Sequence, residues 1–474
     1  MNRRKALKEI GVAAVAGFSP VPLHARTDTD VIVIGAGLSG LYAATLLADE
    51  GFNVIVLEGR HRIGGRLESF RDIEGNPEAG GDSILGGYGR VRDLASRLGM
   101  VLIDHNDRRG LAKPEISLRG KVIPREQWPS HPLNHLPDNA KAAFPGRRFF
   151  QKVVEKNNPL DSHEDWIGPE SRQLDEPVYS FLKRLGWNER TIEQNYNTNV
   201  GRGTSAHDSA MLTWFYRLAW DKVQLSLDRV AIKVKGGNQR LPEAMAASLP
   251  NEVHLNKIVV GLRSNKKTAE VHCSDGSIYR GKRVICSTPV PTLRWIKFDP
   301  PLSPTQTQGI KVIPSMKITK VVLMHKRPFW EDDGLDPAMW TDTPAGEIQA
   351  LRQLDGDNRI TGLVARARGF GSQRLDIMGE EAAKNLVVSE YEKLRPASKG
   401  QLEAVGFKSW ALDPFAGGCW SEWMPGQIHN FLLALAQPSG RIHFCGEHTA
   451  TSNRGMEGAT ESGERAAFEV MGLI

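Results

Sequence analysis

The sequence predicts an α/β protein, and three observations lead to that class. A short β-branched run, Val31-Ile32-Val33-Ile34, stops at a glycine turn; a helix-like segment follows; and a second apolar run, 53–57, ends at an acid, Glu58. Strand, helix and strand in this order form a βαβ unit, in which continuous apolar runs are strands buried on both faces.

The turn reads Gly35-x-Gly37-x-x-Gly40. Gly35 permits the tight turn, Gly37 lets the backbone approach a pyrophosphate, and Gly40 lets the helix over 41–50 pack close to the strand. That helix aims its N-terminal N–H groups at the phosphates. Glu58 stands roughly 20 residues beyond the glycines, where adenosine ribose hydroxyls need an acceptor. Next comes Arg60-His61-Arg62-Ile63-Gly64-Gly65-Arg66, which offers bare backbone N–H groups and guanidinium forks to a diphosphate. Here the chain resembles the flavin-containing amine oxidase family, which includes monoamine oxidases and L-amino acid oxidases and whose pattern is close to LEARxRxGGR. The resemblance implies FAD as cofactor. It also implies a Rossmann-like, GR2-type FAD-binding domain interleaved with an α+β substrate-binding domain.

The far end of the chain extends the resemblance. The run from Gly440 to Thr449, followed by Met456-Glu457-Gly458-Ala459, is similar to the family's closing FAD motif of strand, glycine-acid turn and helix. It implies that Glu447, after the turn glycine Gly446, contacts the ribityl chain, and that backbone near Met456 and Glu457 faces the flavin pyrimidine edge. Helix N-terminal N–H groups there stabilise the charge of reduced flavin. Gly80-Gly81 also match cofactor positions, as does backbone at Val259. Gly236-Gly237-Asn238-Gln239-Arg240-Leu241 resembles the GGxxxL signature, and 253–262, 269–273 and 284–287 read as strands.

This reading assigns 26–100, 231–308 and 415–474 to the FAD-binding domain, and 101–230 and 309–414 to the substrate-binding domain. The first substrate segment has helical pattern at 176–185 and 209–220; the second has strands at 317–325 and 359–367. Length and composition agree: 474 residues allow two cores, and 40% hydrophobic with 24% charged residues is ordinary globular composition. A net charge of +6, with basic residues scattered, argues against a nucleic-acid partner. Residues 1–25, with Arg3-Arg4-Lys5 before a mild apolar stretch, read as a Tat-type signal peptide, which predicts a periplasmic or secreted protein. No run of about 20 apolar residues occurs, so no integral membrane segment is expected. Four cysteines are too few for a disulfide scaffold, and no spacing suggests a metal. Cys273 and Cys286 read as buried free thiols, with pairing after export as the competing reading.

Taking hydride from the carbon beside a neutral amine requires that C–H to be held against the electron acceptor. In the resembled family one strand lysine before a KxPFW run holds a water there. The match is Lys320, ahead of Lys326-Arg327-Pro328-Phe329-Trp330, with Lys317 as the competing choice. Trp420 matches one of two aromatic rings flanking the amine, and both are catalytic assignments from the resemblance. Cys419 matches the cysteine that forms a flavin thioether in monoamine oxidases; other members lack that bond, and both states stay open. Gly455 stands where the second ring is expected, opening space for an α-substituent such as a carboxylate. Ser83 occupies the position at which many L-amino acid oxidases carry a carboxylate-binding arginine. Substitutes are Arg90, which also matches a structural arginine, and Gln239. Trp410, Trp423 and Trp340 are apolar walls or core residues.

The expectation is an exported FAD-dependent L-amino acid oxidase acting on bulky or aromatic substrates. It would use molecular oxygen and yield keto acid, ammonia and hydrogen peroxide. A monoamine or polyamine oxidase is the alternative; a flavin-bearing binding protein without turnover and a dehydrogenase serving another acceptor also stay open, as does a homodimer.

Overall fold

The computed structural model describes residues 26–104, 113–228, 230–352 and 359–472; the signal-like segment 1–25 lies outside them. The fold is mixed α/β and rests on two seven-stranded sheets. In the first, Arg26–Ile34 pairs in parallel with Val54–Leu57 on one side and with Ile278–Cys286 on the other. The end of Ile278–Cys286 also pairs in parallel with Ile442–Phe444, so the last segment of the chain returns beside the first. Val259–Ser264 and Ala269–Cys273 continue the sheet antiparallel, and Lys297–Asp299 closes it.

The first βαβ helix spans Leu38–Asp49, starting three residues before the expected 41 because Gly37 already serves as its N-cap. It packs against the C-terminal helix Gly455–Met471. Contact is close: a Cβ on Gly463 would lie 2.4 Å from the carbonyl oxygen of Ser39. The expected strand over 253–262 starts only at Val259; before it, His254 makes an isolated bridge to Leu57.

The second sheet runs in the order Leu402–Ser409, Ile318–His325, Ile360–Arg368, Glu347–Arg352, Met339–Thr341, Glu115–Leu118, Lys121–Ile123. All its pairs are antiparallel except Met339–Thr341 with Glu115–Leu118. Beside it the Met211–Leu227 helix carries an aromatic core, with Trp214, Phe150 and Tyr196 in edge-to-face contact. Cys273, Cys286, Cys419 and Cys445 are all free thiols. Strand register puts His272 opposite Ile278, so Cys286 lies at the far end of its strand from Cys273 and the two do not pair. Among the described residues no helix is long and apolar enough to cross a membrane.

Candidate active site

A cavity of about 1120 Å³ runs from the glycine turn of the first sheet to the face of the second. Ligand pockets of ordinary drug size span roughly 300–1,000 Å³, so this one has room for a large cofactor and a substrate together. Its first half is lined by Gly35, Gly37, Glu58, Arg60, Gly64, Gly65, Arg66 and Val259. Gly35 has φ +101°, a conformation only glycine adopts freely. Gly40 is absent from the wall and acts by packing: a Cβ there would meet the Gly35 carbonyl oxygen at 2.1 Å.

Several features of this half fit FAD. No side chain caps the N-terminus of Leu38–Asp49, and its first residues, Leu38 and Ser39, face the cavity, as a diphosphate-binding helix requires. The second glycine pair lies against the first turn, with Gly64 N–H donating to the Ala36 carbonyl at 2.9 Å. Glu58 is buried and accepts from the Ala36 and Arg60 N–H groups, which fixes its carboxylate at the wall. Arg66 ties the chain ends together: it donates to Glu447 at 2.9 Å and to the Cys419 carbonyl at 3.0 Å. Burial would raise Glu447, but Arg66 and His448 outweigh it and hold the carboxyl below its ordinary range. Gly446 lies outside the lining and supplies the turn, with φ +128°.

Gly80, Gly81, Lys320, Cys419, Trp420, Gly455 and Met456 line the middle of the cavity. Lys320 is buried, and its amine donates to the carbonyls of Glu78 (2.8 Å) and Gly80 (3.1 Å). Burial, then the neighbouring Arg366, push its ammonium down to about 8. Lys317 precedes the strand and does not reach the wall. Trp420 donates its indole N–H to Glu422 at 3.3 Å, and Glu422 is a buried ion pair with Arg202. Burial pushes the Cys419 thiol up to about 11.

The expected substrate residues lie elsewhere, apart from Gly455. Arg90 is bound to Glu464 (2.7 Å) and Glu457 (3.2 Å), tying the Gly89–Arg97 helix to the C-terminal helix. The Glu457 carboxylate also accepts from the Arg90 and Val91 N–H groups and so points away from the cavity. Gln239 accepts from the Ser69 N–H, in a network with Glu78. Trp410 is fully buried and donates to the Ala79 carbonyl, while Trp423 belongs to the core of the first sheet and Trp340 is likewise buried off this cavity. The space expected beside Gly455 is shared: the Tyr88 hydroxyl lies 3.0 Å from where a Cβ would sit, and Trp220 packs on Tyr88.

The sequence reading missed the last stretch of the wall, formed by Arg147, Arg148, Arg217, Glu347, Arg366 and Arg368 together with Arg454. An arginine does reach the neighbour of Ser83, but it comes from the distant strand Ile360–Arg368: Arg366 binds Asp82 at 2.6 Å. The Arg366-x-Arg368 alternation was the available signal.

Flavin-containing amine oxidase B of Homo sapiens is 29% identical over 470 residues, covering 93% of this chain and 86% of the relative. A Danio rerio flavin-containing amine oxidase is 28% identical, with 93% and 85% covered. Cyclohexylamine oxidase from Brevibacterium oxydans shares the fold with TM-score 0.74 at 22% identity, covering 94% of this chain and 99% of that one. A putrescine oxidase redesigned in its cofactor binding gives the same figures. Residues 38–471 match the flavin containing amine oxidoreductase family, and the chain therefore belongs to that family, with FAD as its cofactor.

Proposed function

We propose that the protein oxidises an amine at the carbon bearing its nitrogen, and that dioxygen accepts the electrons. The α C–H and one N–H bond break to give an imine; water adds to the C=N bond and releases ammonia and a carbonyl compound; dioxygen leaves as hydrogen peroxide. One observation carries this reading: a single cavity joins the glycine turns that would hold FAD to Lys320 and Trp420.

Bound FAD supplies the two-electron acceptor, a chemistry no side chain offers. The protein's own groups bind and orient. Trp420, fixed through Glu422 and Arg202, presents a rigid π face to the amine. Lys320, held by two carbonyls in a buried place, keeps a polar hydrogen-bonding group at the wall and can position a water. The amine must react in its neutral form, because an ammonium lacks the lone pair that assists loss of hydride. Cationic walls favour that form by penalising the protonated one.

Relatives and solved neighbours favour a plain amine, since two of them are oxidases of putrescine and cyclohexylamine. The narrower reading, an L-amino acid, is supported by the arginines that line the cavity beyond Gly455. Anaerobic mixing of the holoprotein with a panel of amines and amino acids tests both. Bleaching of the flavin, followed by peroxide when oxygen is admitted, is the expected result; a flavin that no amine reduces would sink the proposal.

A further inference from the structure

The wall beyond Lys320 is built from a row of charged side chains across three strands. Antiparallel register sets Lys320 opposite Arg366, and Arg366 opposite Glu347. Directly opposed residues point to one face, so these three project together into the cavity; Arg368, two residues along, shares that face. Carboxylates are too few for the cations they serve. Glu347 is shared by Arg147 (3.1 Å) and Arg368 (3.0 Å), and Asp82 by Arg366 (2.6 Å) and Lys320 (3.9 Å). Arg454 lies over the Trp220 ring at 5.5 Å and forms no ion pair among the described residues. Arg366 Nε is buried without a hydrogen-bond partner among them.

The arginines act on one another in the expected way. Burial, and then Arg454, push Arg217 well below its ordinary range against the pull of Asp221 at 3.5 Å. Burial and Arg147 push Arg368 down to about 10. Crowded, partly desolvated guanidinium groups are costly unless an anion joins them, and their forked donors match a carboxylate. The cofactor end has its own pairs, Arg66 with Glu447 and Arg60 with Asp413, and does not need these groups.

We propose that the amine oxidised here carries an oxyanion, a carboxylate first of all, received by Arg217, Arg366, Arg368 and Arg454. The inference rests on the amine-oxidase reading. A simple alkylamine arrives as a cation and meets repulsion, whereas an amine with a carboxylate arrives neutral or negative and is drawn in.

The test is anaerobic reduction of the holoprotein's flavin by matched pairs: butylamine against 4-aminobutanoate, and 2-phenylethylamine against phenylalanine. The carboxylate member of at least one pair should reduce the flavin with a second-order constant roughly 10- to 100-fold higher, the worth of one charged hydrogen-bonded contact. Glutarate, which has no amine, should raise the melting temperature and perturb the flavin spectrum. Arg454→Gln should weaken binding of the preferred carboxylate amine roughly tenfold more than that of its plain partner. Faster reduction by the plain amines in both pairs, or no response to glutarate, overturns this inference alone. No reduction by any amine overturns the oxidase reading and this inference with it.

Discussion

At the glycine-lined end of the cavity cations and carboxylates balance: Arg60, Arg62 and Lys408 are met by Glu58, Glu68 and Asp413, Arg66 by Glu447, and Lys257 by Asp275. At the end formed by the second sheet, Arg147 and Arg368 divide Glu347, and Arg454 lies over the Trp220 ring with no ion pair among the described residues. The first arrangement is complete before any ligand arrives and recognises a fixed shape through backbone and close approach. The second is left with surplus charge that a ligand must bring into balance. A permanently held cofactor suits the one, and a substrate that comes and goes suits the other.

The largest effect should come from closing the glycine end. In Gly40→Val the new Cβ would press on the Gly35 carbonyl oxygen at 2.1 Å and on Ser287 Oγ at 2.8 Å, forcing helix Leu38–Asp49 off the turn. The purified variant should lack most of the flavin absorbance of the parent; stoichiometric flavin would show that the turn's close packing does not set the cofactor site. Next in size is Glu422→Gln, which strands the buried guanidinium of Arg202 and loosens the indole of Trp420. Breaking such a pair costs about 3–5 kcal/mol, so the urea midpoint of the holoprotein should fall accordingly. A midpoint within experimental error of the parent would mean that the Trp420 support is redundant.

Legibility in the sequence follows the same divide. The βαβ unit, Glu58 and the glycine pairs could be read because each depends on spacing within about 40 residues, where local turn geometry dictates residue type. Arg66 meeting Glu447 was reachable only through the resemblance, because 381 residues separate them. Arg366 and Arg368 alternate visibly, yet which face they occupy depends on their register with Lys320, and no local pattern encodes that register. Ser83 suggested that a carboxylate ligand was missing; Asp82 beside it recruits an arginine 284 residues later. Arg90 drew notice by position, whereas its two glutamate partners on the C-terminal helix, which fix its role, were invisible from spacing.

Lys320→Met sharpens the comparison through pH. The amine titrates near 8 in the fold against 10.5 in an unfolded chain, so between those values the unfolded state holds the extra proton. Stability therefore rises as pH increases through this window, and below about pH 8 the buried amine costs roughly 3 kcal/mol. The variant should melt above the parent at pH 7, with a gap that shrinks toward pH 10. A gap that does not change with pH would mean that Lys320 keeps its ordinary affinity for protons, and that the arginine-rich wall does not bear on it.

The smallest effect is expected from Arg90→Lys. The substitution keeps the charge but loses the fork that reaches both Glu464 and Glu457. Because the Arg90 side chain is 31% exposed, that loss should be at most about 1 kcal/mol of stability. KM for the preferred amine should stay where it is, since Arg90 is not on the cavity wall. A tenfold rise in KM with unchanged flavin content would move anion recognition to the Gly89–Arg97 helix, and the division between a self-paired cofactor end and a charge-surplus substrate end would no longer hold.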